Sequence, residues 1–194
     1  MLSSRALGFQ LTRTLGFGGN TKSTLLILSF VNVCFSDTAS VEVTSSSCPR
    51  ISSDSRFTIA GWVGTGNYGV NFNGPGPFAN NGKAEDQDLV AFLQGGSSLS
   101  QMISGLVPGE KYEVRFACNA RGGNSPTLVV KADNEVLLEE SIAAVGGANP
   151  FHVKTVSFTA SASAVNLSFA QAAAGDNTVI IDNVTVTGAS STLP

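Results

Sequence analysis

The side chains able to do chemistry in this 194-residue chain are few and scattered. The one histidine, His152, follows Asn149-Pro150-Phe151 and has no acidic residue nearby in sequence to orient it. A serine or cysteine nucleophile therefore lacks a ready base. A single histidine also excludes multi-histidine metal centres, and no C-x-x-C spacing replaces them. The carboxylates come as neighbours: Glu85, Asp86 and Asp88 share one loop, and Glu139 and Glu140 sit together at a strand end. Glycoside hydrolysis needs two carboxyl groups opposed across a bond. Adjacent acids on a solvated turn are ordinary surface charge. The chain is expected not to be an enzyme.

Binding chemistry is better supplied. Trp62 is the only tryptophan, and Tyr68, Phe72 and Phe78 lie in Gly/Asn-rich segments. Aromatic faces accept the C–H side of a ring-shaped ligand, and loops present residues to ligands. Trp62 directly follows Gly61, and a core residue closing one end of a sandwich explains it equally well. Gln94, Gln101, Asn119 and Arg121 offer fixed hydrogen bonds to hydroxyl groups. Arg121 also suits a carboxylate through a bidentate contact, or a salt bridge within the chain. Asp182 falls between Ile180 and Val184 at an alternation position that points inward. A buried carboxylate must be paired, hydrogen-bonded or metal-bound. Two readings stand for it: a structural calcium ligand acting with loop carbonyls, or an acceptor for a backbone turn.

The elements that must position these residues read as strands. Lys111 to Cys118 alternates Tyr112, Val114 and Phe116 inward with Lys111, Glu113 and Arg115 outward. Further strands are expected at Phe57–Val63, Asp88–Gln94, Leu99–Ile103, Thr127–Ala132, Val136–Glu139, Phe151–Ala160, Val165–Phe169 and Thr178–Thr187. Turns separate them at Gly64-Thr65-Gly66-Asn67, Gly95-Gly96-Ser97, Pro108-Gly109, Arg121–Asn124 and Gly175-Asp176-Asn177, and residues 73–88 form a long loop. No segment of useful length has the helical period. Eight or nine short strands with turn signals between them indicate an all-β, two-sheet antiparallel sandwich or jelly roll. Val114, Phe116, Phe158, Leu167 and Ile180 are expected in its core.

Composition agrees. Charged residues are 13%, and Lys+Arg at 11 against Asp+Glu at 14 leaves a net charge of -3. This argues against a nucleic-acid partner. No apolar run reaches the roughly 18–20 residues of a membrane span. Residues 1–36 carry Arg5, Arg13 and Lys22 without an acid, then an apolar run from Leu25 to Phe35 and the small Ser36. That is the layout of a secretory leader. Residues 37–56 read as a linker or divergent first strand around Val41-Glu42-Val43, residues 57–187 as the sandwich and 188–194 as a tail. After export, Cys48 and Cys118 either pair or leave Cys118 as a buried thiol. Asn166-Leu167-Ser168 and Asn183-Val184-Thr185 match the N-glycosylation pattern.

Five blocks in order carry a resemblance: Phe57–Trp62, Asp88–Gln101, Leu106–Tyr112, Arg121 and Asp176–Val184. Residues 57–187 resemble the galactose-binding-like jelly-roll domains of bacterial extracellular proteins and plant cell-wall proteins. The resemblance implies a secreted, calcium-tolerant sandwich that binds carbohydrate or cell-wall material without catalysis. A polysaccharide or glycan partner is expected against the loops 64–82 and 119–124, which hold the chain's richest mix of aromatic, amide and guanidinium groups, with Tyr68 or Trp62 stacking and Arg121 or Gln94 hydrogen-bonding. The first strand of that family carries Asn-Gly-x-Phe-Glu, which residues 37–56 lack, and this weakens the expectation of a calcium site. The rival expectation is a structural or adhesion module that binds other extracellular proteins.

Overall fold

The computed structural model describes residues 28–30, 59, 61–85 and 89–188, with backbone alone for 28–30. Among these the structure is nearly all β. Nine strands run in chain order: β1 (Leu28–Phe30), β2 (Val63–Phe72), β3 (Leu89–Ser104), β4 (Lys111–Ala120), β5 (Thr127–Ala132), β6 (Glu135–Ser141), β7 (His152–Thr159), β8 (Ala164–Gln171) and β9 (Thr178–Gly188). A single 3-10 turn, Gly76–Phe78, interrupts the long loop after β2. All pairings between strands are antiparallel, in the order β6-β5-β8-β3-β9-β4-β7, with β2 on β3 and β1 on β9.

One strand belongs to both layers of the jelly roll. Residues 91–94 of β3 pair with β9, whereas residues 97–104 pair with β8. Between them Gly95 and Gly96 adopt φ of +45° and +46°. Glycine enters that region without the strain that a Cβ brings to most residues. The expected turn at 95–97 is therefore a corner inside a continuous 16-residue strand, at which β3 leaves one sheet for the other. Opposite it, β2 carries a bulge between Thr65 and Asn67, with Gly66 at φ +75°. The Gly64–Asn67 segment expected as a turn is thus the first half of β2.

Alternating residues meet between the layers. Tyr112, Val114, Phe116 and Cys118 of β4 face Val165, Leu167 and Phe169 of β8 in one apolar cluster. The Phe116 and Phe169 rings meet edge to face at 5.1 Å, and Tyr112 stacks on Phe158 at 5.7 Å. Val114, Phe116, Phe158 and Leu167 are buried as expected. Ile180 is buried too, but on the opposite face. There Phe78, Val90, Ala117, Phe151 and Ile180 form a second cluster, where the 73–85 loop and the 142–151 segment cover the sheet.

The two edge strands approach one another. Lys154 Nζ of β7 lies 2.7 Å from Glu140 Oε1 of β6. Cys118 is a free buried thiol, its pKa pushed up to about 12 by burial. Cys48 lies outside the described residues. Within residues 1–36, expected as a leader, Leu28, Ser29 and Phe30 pair with Val186, Thr185 and Val184 of β9. The other residues of 1–36 also lie outside the described ones, as do residues 31–58 with Val41-Glu42-Val43. Among the described residues no helix is long and apolar enough to cross a membrane.

Candidate ligand-binding site

At one end of the sandwich three segments interlock. The Gly95 N–H donates to Asn177 O at 2.9 Å, which docks the β8–β9 turn on the corner of β3. Asn177 Oδ1 accepts from Ser125 N at 3.0 Å, and Asn124 Oδ1 accepts from Thr178 N at 3.1 Å. These bonds tie the β4–β5 loop to the same turn. Gln171, 1% exposed, completes the frame: its amide donates to Ala173 O and Asn177 O and accepts from Thr127 N and Ala173 N.

This frame brings four polar side chains into a line. The Asn67 amide donates to Gln94 Oε1, and Gln94 Nε2 donates to Asp176 Oδ1. Arg121 closes the line with Nη1 and Nη2 on the two Asp176 oxygens at 3.2 and 2.9 Å. The Asp176 side chain is 62% exposed and that of Arg121 26%, so the line opens to solvent. The half-buried Phe92 lies beside it, two residues before Gln94 on the same face of β3. Gln94 and Arg121 thus meet through Asp176. Asp176, which joins them, carries only a turn signal in the sequence. Its position after Gly175 signals a turn, and nothing in the sequence links it to residues 55 or 82 positions away.

The other expected residues have structural partners. Trp62 is half-buried against the core, its ring 5.8 Å from Phe169, and it lines a small internal gap with Ile59, Leu99 and Val184. The core reading holds for it. Tyr68 also packs against the core, with its ring laid over Gly64; a Cβ there would meet ring carbons at 2.3–2.4 Å. Phe78 is buried 5.9 Å from Phe92. Phe72 remains half exposed at the end of β2.

Asn119 is wholly buried. Its Nδ2 donates to Asn81 O at 2.7 Å and Val145 O at 3.0 Å, and its Oδ1 accepts from Ala120 N and Val145 N. All of its hydrogen-bonding capacity therefore goes to backbone. It staples the two covering loops to β4 and presents nothing to a ligand.

Asp182 is also buried, but not between the layers. Asn183 takes φ +47° and shifts the β4–β9 register between Arg115 and Ala117. This bulge reverses the alternation, so Asp182 follows Ile180 onto the outer face while Val184 turns into the core. There Asp182 Oδ2 accepts from Glu85 N at 2.8 Å, the backbone-turn role. Among the described residues no group of three or more His, Cys, Asp or Glu is placed to hold a metal ion. Asp86 and Asp88 lie outside the described residues.

The Glu85 carboxylate itself pairs with Arg115, with Nη1 2.9 Å from Oε2. Hydrogen bonding to Arg115 holds its pKa below the ordinary 4.5 against an opposing desolvation effect, with a smaller contribution from Asn183. Among the remaining candidates for chemistry, His152 Nε2 lies 3.0 Å from Ala143 O, and the Glu140 carboxylate is held by Lys154.

No protein-family model matches this chain, and no curated protein matches it. Solved structures do. A cyclase from Fischerella sp. TAU in complex with 4-(1H-indol-3-yl)butan-2-one matches with a TM-score of 0.51 at 20% identity, over 69% of this chain and 87% of that one. The Stig cyclase Fisc from Fischerella sp. TAU gives 0.50 at 22% identity over the same shares, 69% and 87%. The CBM22-1 xylan-binding domain from Paenibacillus barcinonensis Xyn10C gives 0.49 at 12%, over 71% of this chain and 91% of that one. The two cyclase likenesses bear on the fold alone. Together with the strand topology they show the jelly-roll fold.

Proposed function

We propose that this chain is a non-catalytic carbohydrate-binding module that acts outside the cell, with the glycan lying along Asn67, Gln94, Asp176 and Arg121. The observation that carries this reading is the convergence of those four side chains, from four separate segments, into one solvent-open line. A sugar hydroxyl both donates and accepts. A carboxylate beside a guanidinium offers an acceptor and a donor to two neighbouring hydroxyls, and two amides extend the pattern. Phe92 supplies an apolar edge next to it.

Carboxylates elsewhere support the absence of catalysis. Glu85, Glu140 and Asp182 are each engaged by Arg115, Lys154 or a backbone N–H. The apolar run after Leu25 supports export. One observation favours an adhesion module that binds protein instead: Trp62 and Tyr68 are committed to the core, which leaves the line without a fully exposed aromatic ring.

Calorimetric titration against pectic and β-linked glycans separates the two. The wild type is expected to bind at least one of them. Arg121→Ala removes a charge-assisted hydrogen bond of about 1.5–3 kcal/mol and so weakens binding at least about tenfold. Unchanged affinity in a folded Arg121→Ala protein takes Arg121 out of the site. No binding of any glycan by the wild type transfers the proposal to a protein partner.

A further inference from the structure

The line through Asp176 holds two charges of opposite sign, and they neutralise each other. Residues 64–72, 90–98, 119–127 and 172–178 carry its four side chains, and within these segments Arg121 and Asp176 are the only charged residues. Arg121 Nη1 and Nη2 lie 3.2 and 2.9 Å from Asp176 Oδ1 and Oδ2, an end-on bidentate pair. The line therefore carries no net charge. The carboxylate is its more open half, with the Asp176 side chain 62% exposed against 26% for Arg121. A ligand that approaches from solvent meets the negative group first.

The hydrogen-bonding capacity left over suits hydroxyl groups. A guanidinium has five N–H groups and Asp176 takes two, so the Nε–H and one N–H on each Nη remain as donors. Thr178 stands between the two residues that Asp176 joins. It pairs with Gln94 across β3 and β9, and its carbonyl accepts from Arg121 N at 3.0 Å. Val179 belongs to the core cluster and Ile180 to the outer one, so the Thr178 side chain shares the outer face with the line. Thr178 is 1% exposed, and its hydroxyl has no hydrogen-bond partner among the described residues. A buried hydroxyl left alone is a cost that a donor–acceptor group bound over it, or a water held between, relieves.

We propose that Asp176 sets the charge selectivity of this site, which admits neutral glycans and turns away those that bear carboxylates. The proposal rests on the carbohydrate reading and names the class of glycan. A uronate carboxylate seated on Arg121 shares one guanidinium with Asp176, which places two negative charges on a single positive group. A neutral hydroxyl meets no such conflict. It accepts from a free Arg121 N–H and donates to Asp176. Selectivity comes from a repulsive element as well as an attractive one, and Asp176 is the repulsive one here. Without its charge, Arg121 is free to hold a carboxylate through both Nη groups.

The test uses the full chain and calorimetric titration, with xylo-, cello- and galacto-oligosaccharides as the neutral set and oligogalacturonates as the acidic set. At least one neutral oligosaccharide is expected to bind at least about tenfold more tightly than any oligogalacturonate. Asp176→Asn keeps the size of the exposed side chain and an acceptor for Gln94. It is expected to raise oligogalacturonate affinity at least about tenfold, a gain that shrinks as salt is added, and to lower neutral affinity several-fold. Oligogalacturonates that bind the wild type as tightly as the neutral set overturn the proposal and leave the carbohydrate reading standing. A folded Asp176→Asn protein that gains no oligogalacturonate affinity does the same. No binding of either set by the wild type overturns both.

Discussion

At Asn119 a side chain with binding-site chemistry serves the backbone. Its position in β4 faces outward, where a ligand contact is reasonable, but the covering loops close over it. Asn119→Ala leaves Asn81 O and the Val145 N–H and C=O without their partner inside the protein. Stranded buried groups cost about 1–3 kcal/mol each, with part recovered by relaxation, so the variant is expected to lose about 3 kcal/mol. Urea unfolding should show a lower midpoint at unchanged slope. Glu85 makes a second prediction through pH. Its folded pKa lies below the ordinary 4.5 because of Arg115, so the stability it contributes is complete above 4.5 and fades as pH falls through the lower folded value. Both groups are largely solvated, so the effect is small. In Glu85→Gln that acid-side dependence disappears, which urea midpoints compared across the acid range will detect.

Among the elements, β3 decides where the site forms. Its Gly95-Gly96 corner both transfers the strand between sheets and receives the β8–β9 turn. The two glycines are not equivalent. A Cβ on Gly95 would stand 2.7 Å from Gly175 O, whereas one on Gly96 meets nothing within 4 Å. Gly96→Ala therefore suffers only the left-handed backbone strain, about 1 kcal/mol. Gly95→Ala adds a collision with a carbonyl and is expected to cost more, about 2–3 kcal/mol. It should also displace Asp176 from Gln94. Thermal unfolding ranks the two variants, and the Asp176 amide shift reports the displacement. Equal destabilisation by both would separate the corner from the turn.

For the whole molecule, the sandwich is held by its core, and the bridge between its edge strands adds little. Lys154 and Glu140 join β7 to β6 with side chains 26% and 42% exposed. Pairs of this exposure contribute about 0–1 kcal/mol. A double-mutant cycle with Lys154→Met and Glu140→Gln is expected to give a coupling energy below about 1 kcal/mol that shrinks further with salt. The layers between them bury Phe116, Phe169, Leu93 and Ile103 almost completely. A large coupling would mean that closure at the edges, not the core, governs stability.

Period-two alternation exposed most of the strands because it is a local property. Tyr112, Val114 and Phe116 face the core as their spacing requires, and β5, β7 and β8 lie close to where alternation put them. Absence of a helical period was enough for the all-β class. Three things were decided only in the folded chain. Gly95-Gly96 has the composition of a turn, and only pairing with β9 on one side and β8 on the other makes it a corner within one strand. Alternation carried straight through Asn183 puts Asp182 inside, whereas the left-handed backbone of Asn183 inserts a bulge and reverses the faces. The meeting of Asn67, Gln94, Arg121 and Asp176 joins residues from distant parts of the chain. Residue types and spacing report which face of its own strand a side chain takes. Which other segment lies opposite depends on strand order and loop docking, and those follow from the packing of the whole sandwich.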